Sequence, residues 1–279
     1  MMRTMDPTLP VISSAANPRV KAALALRDRR ARDETGLTIV DGAREVRRAL
    51  EAGVLPTDAF VCERLLAGVD ARAALDRLVA DAVPVTSVSE SVFERLAFGG
   101  RTEGIVLIVR QPSTALADLA IPPDALVLVI EGVEKPGNVG AVLRTADGAG
   151  VDAVIAASPT TDLFNPNAIR ASAGTIFGLP LAAAPTGEVL PWLRAHGLRI
   201  VTARVDAPAR YTDADLTGPV AVVLGAEADG LTSAWGGDDI HPVHIPMAGA
   251  ADSLNVSISA AILAYEARRQ RDHPGGLAS

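Results

Sequence analysis

Unbroken apolar runs set what the second half of this chain can fold into. "ALVLVI" at 125–130, "DAVIAA" at 152–157 and "PVAVVLG" at 219–225 carry no polar alternation within their cores. A strand covered on both faces reads this way, and that pattern belongs to a parallel sheet sandwiched between helices. The intervening segments fit helices: one from about Gly137, then "NPNAIRASAGTIF", "GEVLPWLRAHG" and a last helix from near Ser253 to about Arg271. "RIVTARV" and "PVHIPM" add strands. Helices between parallel-type strands predict a doubly wound α/β sheet.

The first half alternates shorter elements. "NPRVKAALALRDRRARDETG" starts a helix at Asn17-Pro18, with Val20, Ala23, Leu24 and Leu26 roughly on one face. Arg27, Arg29, Arg30 and Arg32 are expected on its polar side or in its exit turn. The strand "LTIV", a helix over "DGAREVRRALEAG" and further alternation to "GIVLIVR" imply a compact α/β layer domain. "QPSTALADLAIPPD" is rich in Pro and small residues and reads as a linker. The expected organisation is a loose tail at 1–12, a first domain at 13–110, a linker at 111–123 and a second domain at 124–279.

With 279 residues, 49% of them apolar, the chain can bury a full core. No apolar run reaches the roughly 18 residues of a membrane span. The first twenty residues lack the compact apolar stretch of a signal peptide. Cys62 is the one cysteine, so no internal disulfide forms and a cytoplasmic setting is expected. No His/Cys/Asp cluster has metal-ligand spacing, and His241 and His244 read as sheet-edge sequence, so no metal is expected. Net charge is −7, yet residues 1–50 hold ten Lys and Arg against six Asp and Glu. Positive charge there marks Arg19, Lys21, Arg27, Arg29, Arg30 and Arg44 as candidate contacts to RNA phosphates. Two Trp, two Tyr and five Phe favour recognition by shape and phosphate over base stacking.

Three loops carry the candidate chemistry. "EKPGNVGAVLRTADGAGV" has Asn138 and Arg144 six residues apart where a strand gives way to a helix. Open α/β sheets place ligands at such junctions, and Gly137 and Gly140 would let a ligand approach the backbone. "VLGAEADGLT" ends a buried strand at Gly225 and puts Glu227 in the following loop, as a solvated acid or as an orienting carboxylate. "IPMAGAADSLNVSISAAILAYEARRQR" puts Ser253 and Asn255 at a helix start, to cap it or to meet polar ligand groups. No dinucleotide-type G-x-G-x-x-G follows any expected strand, which disfavours a nicotinamide-dependent oxidoreductase.

In order, spacing and residue type, these three segments resemble the motifs of the SpoU/TrmH group of RNA 2′-O-ribose methyltransferases, of the SPOUT class. The resemblance implies an enzyme that uses S-adenosylmethionine to methylate a ribose 2′-hydroxyl. It implies a SPOUT-type parallel sheet with a C-terminal trefoil knot, and a homodimer formed through the C-terminal domain. Asn138, Arg144, Glu227, Ser253 and Asn255 match the group's functional polar positions. Cofactor contacts fall at Thr202, Leu224, Gly225, Glu227, Gly230, Ile245, Met247, Ser253 and Leu254. The first domain resembles an L30e-like RNA substrate-binding domain, with Asp41 where the usual residue is Glu and Glu103 where many members carry Gln. That domain favours rRNA, most of all 23S rRNA in maturation or antibiotic resistance. The alternatives are a tRNA substrate or a homologue that binds RNA without chemistry.

A guanidinium is a poor base. Arg144 is therefore expected to bind the phosphate next to the reacting ribose and to stabilise developing charge on oxygen.

Overall fold

The computed structural model describes residues 11–98, 100, 103–226 and 230–273. The chain forms two compact units: residues 1–112 with 164–178, and residues 113–163 with 179–279.

In the first unit, α1 (Pro18–Ala25) begins as expected, with Asn17 Oδ1 accepting from Arg19 N at 2.9 Å. The expected helix does not run on. It stops, and α2 (Arg29–Thr35) restarts after Asp28 in extended backbone. The break reverses one expectation: Arg32 is 1% exposed, and its Nη1 donates to the carbonyls of Leu26 and Arg27 at 2.7 and 2.8 Å. These are carbonyls of the turn after α1, so a buried guanidinium supplies donors that a continuing helix would have supplied. The strands β1 (Leu37–Asp41), β2 (Pro56–Val61), β3 (Val85–Ser87) and β4 (Ile105–Arg110) form a sheet in the order β1-β4-β2-β3. Only the β2–β3 pair is parallel. The helices α3 (Ala43–Glu51), α4 (Val69–Ala80) and α5 (Glu90–Leu96) connect them. Val20, Leu26, Phe60, Phe93 and Leu96 centre one core. Asp41 Oδ2 accepts from Phe98 N at 2.8 Å, which ties the end of β1 to the exit of α5.

The second unit is built on β5 (Leu126–Glu131), α6 (Pro136–Ala149) and β6 (Ala153–Ala157). The segment "NPNAIRASAGTIF" is not one helix. It gives α7 (Pro166–Ala171) and a 3-10 turn at Thr175–Phe177, and it belongs to the first unit. Ala173 has φ 54, which ends the helix, and a Cβ on Gly174 would sit 2.9 Å from Glu45 Cα. Returning to the second unit are β7 (Leu181–Ala184), α8 (Thr186–Ala195), β8 (Arg199–Ala203), β9 (Ala209–Arg210), β10 (Val220–Leu224), β11 (Ile240–His244) and α9 (Val256–Asp272). The stretch read as a linker divides at Pro112, and Leu116, Leu119 and Ile121 pack on the second unit's core.

The seven strands are all parallel, in the order β7-β6-β5-β10-β8-β11-β9. Val127, Val129, Ala153, Ile155, Ala221 and Val223 face α8 and Trp235 in one core layer. Leu126, Leu128 and Ile130 are at most 1% exposed on the opposite face, where α9 meets β5 and β10 and α6 meets β6. Pro136 occupies the first turn of α6, where its missing N–H is harmless. Gly150 ends the helix in left-handed backbone at φ 68. Val139, Val142, Leu143, Ala146 and Ala149 form its buried stripe, and a Leu such as Leu143 contributes about 1.5–3 kcal/mol when fully buried. Val256, Ala260, Leu263, Ala264 and Ala267 do the same for α9.

Candidate active site

The first turns of α6 and α9 meet through two asparagines. Asn255 is the N-cap of α9, its Oδ1 accepting from Ser257 N at 2.9 Å and Ser257 Oγ at 2.6 Å. Its Nδ2 donates to Asn138 Oδ1 at 3.3 Å, so one side chain both caps a helix and reaches the other motif. Arg144, six residues on, is separated from Asn138 by about 120° around α6 and lies roughly 9 Å along it. It is exposed and has no ion-pair partner among the described residues.

Beside this junction is a cavity of about 410 Å3 at the C-terminal ends of β8, β10 and β11. That is where ligands enter parallel sheets, and the volume lies in the range of cofactor sites, about 300–1,000 Å3. Leu224, Gly225, Gly230, Ile245, Met247, Ser253 and Leu254 line it, all of them expected contacts. Thr202 does not. It is fully buried in β8, and its neighbours Ala203 and Arg204 form the wall instead. Glu227 lies outside the described residues. Arg144, Asn138 and Asn255 are not part of the lining, but Ser253 and Leu254 lead directly into Asn255.

The lining includes an ion pair that sequence reading missed. Arg204 Nε and Nη2 reach the two oxygens of Asp206 at 3.0 and 3.3 Å. The hydrogen bond from Arg204 holds the Asp206 carboxyl below its usual range. No motif marks these two residues; their position just after a parallel strand is the one signal available.

The cavity wall is built from backbone in close contact. A Cβ on Gly225 would stand 2.2 Å from Gly230 C and 2.5 Å from Leu231 N, so glycine is required there. Gly230 N donates to Ala226 O at 3.0 Å across the same turn. At Gly137 the contrast is plain: open space surrounds its Cβ position, which leaves the backbone there accessible. Among the described residues there is no group of three or more His, Cys, Asp or Glu suited to a metal ion.

The candidate RNA contacts in the first unit are mostly engaged. Arg19 forks onto Asp58 at 2.7 and 3.3 Å. Arg29 pairs with Asp33, Arg30 with Glu34 and Arg44 with buried Glu45. Arg27 donates to the carbonyls of Arg95, Leu96 and Ala97 and lies 4.4 Å over the Phe98 ring. Lys21 is exposed.

The sequence matches the SpoU rRNA Methylase family over residues 125–265 and the MRM3-like substrate binding domain over residues 17–107. The 23S rRNA (guanosine(2553)-2′-O)-methyltransferase RlmP of Bacillus subtilis is 28% identical over 257 residues, covering 92% of this chain and 98% of its own. A crystal structure of an RNA 2′-O ribose methyltransferase superposes with a TM-score of 0.81 at 42% identity, covering 94% of this chain and 99% of its own. An AdoMet-bound rRNA methyltransferase from Sinorhizobium meliloti does so with a TM-score of 0.85 at 30% identity, covering 94% and 98%. With the cavity at the strand ends and the Asn138–Asn255 junction beside it, these matches show that the chain belongs to the SpoU rRNA Methylase family of S-adenosylmethionine-dependent RNA ribose 2′-O-methyltransferases.

Proposed function

We propose that this enzyme methylates one ribose 2′-hydroxyl in 23S rRNA, with the cofactor in the cavity walled by Gly225, Gly230, Ile245, Met247, Ser253 and Leu254. One observation carries the reading. The chain that lines the cavity at Ser253 and Leu254 continues into Asn255, which bonds Asn138 on α6, the helix that bears Arg144. Two residues of the cofactor wall and one candidate RNA-facing residue are thus three consecutive positions. That the named relative acts on 23S rRNA supports the substrate class.

S-adenosylmethionine supplies a methyl group activated on sulfur. The chain's own residues do the rest. Backbone at Gly225, Ile245 and Leu254 holds the adenosine portion in a mainly apolar wall. Asn138 and Asn255 orient the ribose. Arg144 grips the adjacent phosphate with its planar fork and stabilises charge developing on the 2′-oxygen. The 2′-hydroxyl proton passes to water, and the methyl carbon would exchange its bond to sulfur for one to the 2′-oxygen, leaving the neutral thioether. Such alignment is worth several kcal/mol of barrier. Glu227 is assigned to orienting the cofactor.

The first unit is the RNA platform, as its match to a substrate-binding domain supports. Arg19, Lys21, Arg27, Arg29, Arg30 and Arg44 belong to its basic surface. Two copies associate through α9, where Ile258 and Tyr265, seven residues apart on one face, are 50% and 53% exposed. The C-terminal segment between β11 and α9 is read as threaded into a trefoil knot, on the strength of the family match. The enzyme works in the cytoplasm, and no helix of the described residues is long and apolar enough to cross a membrane.

The test is transfer of labelled methyl from S-adenosylmethionine to 23S rRNA, 16S rRNA and tRNA from cells lacking the gene. Label confined to 23S rRNA, in an alkali-resistant linkage and absent with Arg144→Ala, is expected. Label in tRNA alone would overturn the substrate assignment.

A further inference from the structure

The C-terminal ends of the central strands hold a buried polar chain that methyl transfer as described does not use. Glu131, the last residue of β5, is 3% exposed. Its Oε1 accepts from Thr186 Oγ1 at 2.7 Å and Thr232 Oγ1 at 2.9 Å, and its Oε2 accepts from Thr232 N at 2.8 Å. Thr186 in turn donates its N–H to Ser158 Oγ at 3.0 Å, and the two hydroxyls lie 3.0 Å apart. The Thr186 hydroxyl proton is already committed to Glu131, so Ser158 must donate across that contact. The hydrogens therefore run one way, from Ser158 through Thr186 to the carboxylate. Ser158 sits at φ 47, a conformation that a non-glycine residue keeps only when its surroundings hold it.

A buried carboxylate is costly unless its acceptors are filled, and here they are filled by two threonines from distant parts of the chain. Both ends of this network lead to the site. Glu131 is followed by the turn into α6, which carries Asn138 and Arg144. Thr232 directly follows Gly230 and Leu231, which line the cavity. Those two residues press their backbone onto Gly225, with no room for a methyl group between. Backbone packed that closely needs an anchor behind it, and Thr232 is held by two of the three bonds to Glu131.

We propose that Glu131 is a positioning residue for the cofactor site, holding Thr232 so that Gly230 and Leu231 stay seated on Gly225 before S-adenosylmethionine arrives. The inference rests on the reading of that cavity as the cofactor site. Glu131→Gln puts an amide donor against donors, and Thr232→Val removes one bond while keeping the backbone N–H. Titration of the full-length chain with S-adenosylmethionine alone is expected to show Kd raised about tenfold in the first variant and less in the second. Steady-state KM for S-adenosylmethionine should follow, with kcat and the KM for RNA within about twofold of wild type. Hydrogen exchange of the 230–236 amides should speed up in the same order. Wild-type Kd and wild-type exchange in folded variants would overturn the proposal, as would a fall in kcat at unchanged Kd. If Glu131→Gln does not fold, Thr232→Val decides. A wild-type chain that binds no S-adenosylmethionine would instead sink the reading of the cavity, and exchange at 230–236 would still judge the tether.

Discussion

Asn255 Nδ2 donates to Asn138 Oδ1 at 3.3 Å while Asn255 Oδ1 caps α9. The two ends of one amide thus have separable duties. Asn255→Asp keeps the acceptor that caps Ser257 N and loses the donor to Asn138. Its melting temperature should stay near wild type while methyl transfer falls about tenfold or more. Asn255→Ala should lose both, with about 1 kcal/mol of stability gone as well. Thermal melts beside single-turnover rates would separate the two, and equal activity loss with equal destabilisation in both variants would sink the division of labour.

Arg144 stands apart from the many arginines that pair locally. Arg144→Ala should shift stability by no more than about 0.5 kcal/mol, as for a surface residue without partners. Methyl transfer should fall by about 100-fold if the side chain stabilises charge in the transition state. Arg144→Lys keeps the charge and loses the fork, so near-wild-type turnover by the lysine variant would exclude the two-pronged phosphate grip.

Two glycines make a paired prediction. Gly225→Ala must push Gly230 and Leu231 aside, because the new Cβ would lie 2.2 Å from a backbone carbon. Overpacking of this kind costs about 1–3 kcal/mol, and cofactor binding should be lost with it. Gly137→Ala meets nothing within 4 Å and lies inside α6. It should be neutral or stabilise by about 0.5–1 kcal/mol. Urea unfolding of both variants checks the contrast, and a methyl-transfer defect confined to Gly137→Ala would report a ligand against that turn.

The parallel core was legible because Leu126–Ile130, Ala153–Ala157 and Val220–Leu224 are apolar at every position, which only double-sided burial allows. The strand Leu181–Ala184 was not, since "LAAA" has neither β-branched residues nor alternation. The two-residue strand Ala209–Arg210 is too short to leave a pattern. The expected helix over 165–177 failed because its apolar residues suit helix and turn alike, and the left-handed Ala173 is set by tertiary packing. The sequence places Arg32 on a polar face or in the exit turn, because nothing local says that two carbonyls would need a buried guanidinium. At the cavity, the glycines and the 253–255 turn were readable from type and order. Arg204 and Asp206 were not, being ordinary charged residues whose importance comes from the strand that delivers them.

Arg27 and Lys21 were read alike and should behave differently. Arg27 closes the end of α5 through three carbonyls and covers Phe98, so Arg27→Ala should destabilise the first unit by about 1–3 kcal/mol. Lys21→Ala should leave stability unchanged and weaken RNA binding across sequences, lowering the salt slope by about one. Binding measured at several salt concentrations, beside thermal melts, distinguishes a structural arginine from a phosphate-binding lysine. An unchanged salt slope for Lys21→Ala would remove it from the RNA surface.

Acid should unlock the C-terminal helix through Glu266. Arg269 forks onto its carboxylate at 2.7 and 2.9 Å, and Gln270 adds a bond at 2.9 Å. The Arg269 hydrogen bonds, then Gln270, hold this carboxyl below its ordinary value of 4.5. A carboxyl depressed in the fold stabilises it fully above the unfolded value, and that contribution is lost as pH falls through the folded value. The window therefore lies below about pH 4.5, and neutral pH should be flat for this group. Gln270 extends the effect, since its Oε1 accepts from Leu216 N at 2.8 Å and its Nε2 donates to Ala214 O at 3.0 Å, anchoring the segment that precedes β10. Melting temperatures of wild type and Glu266→Gln from pH 7 to pH 3 should converge as the pH drops below 4.5, the wild type losing its lead. A constant gap between the two curves across that range would show that the Glu266 charge contributes nothing to holding the helix.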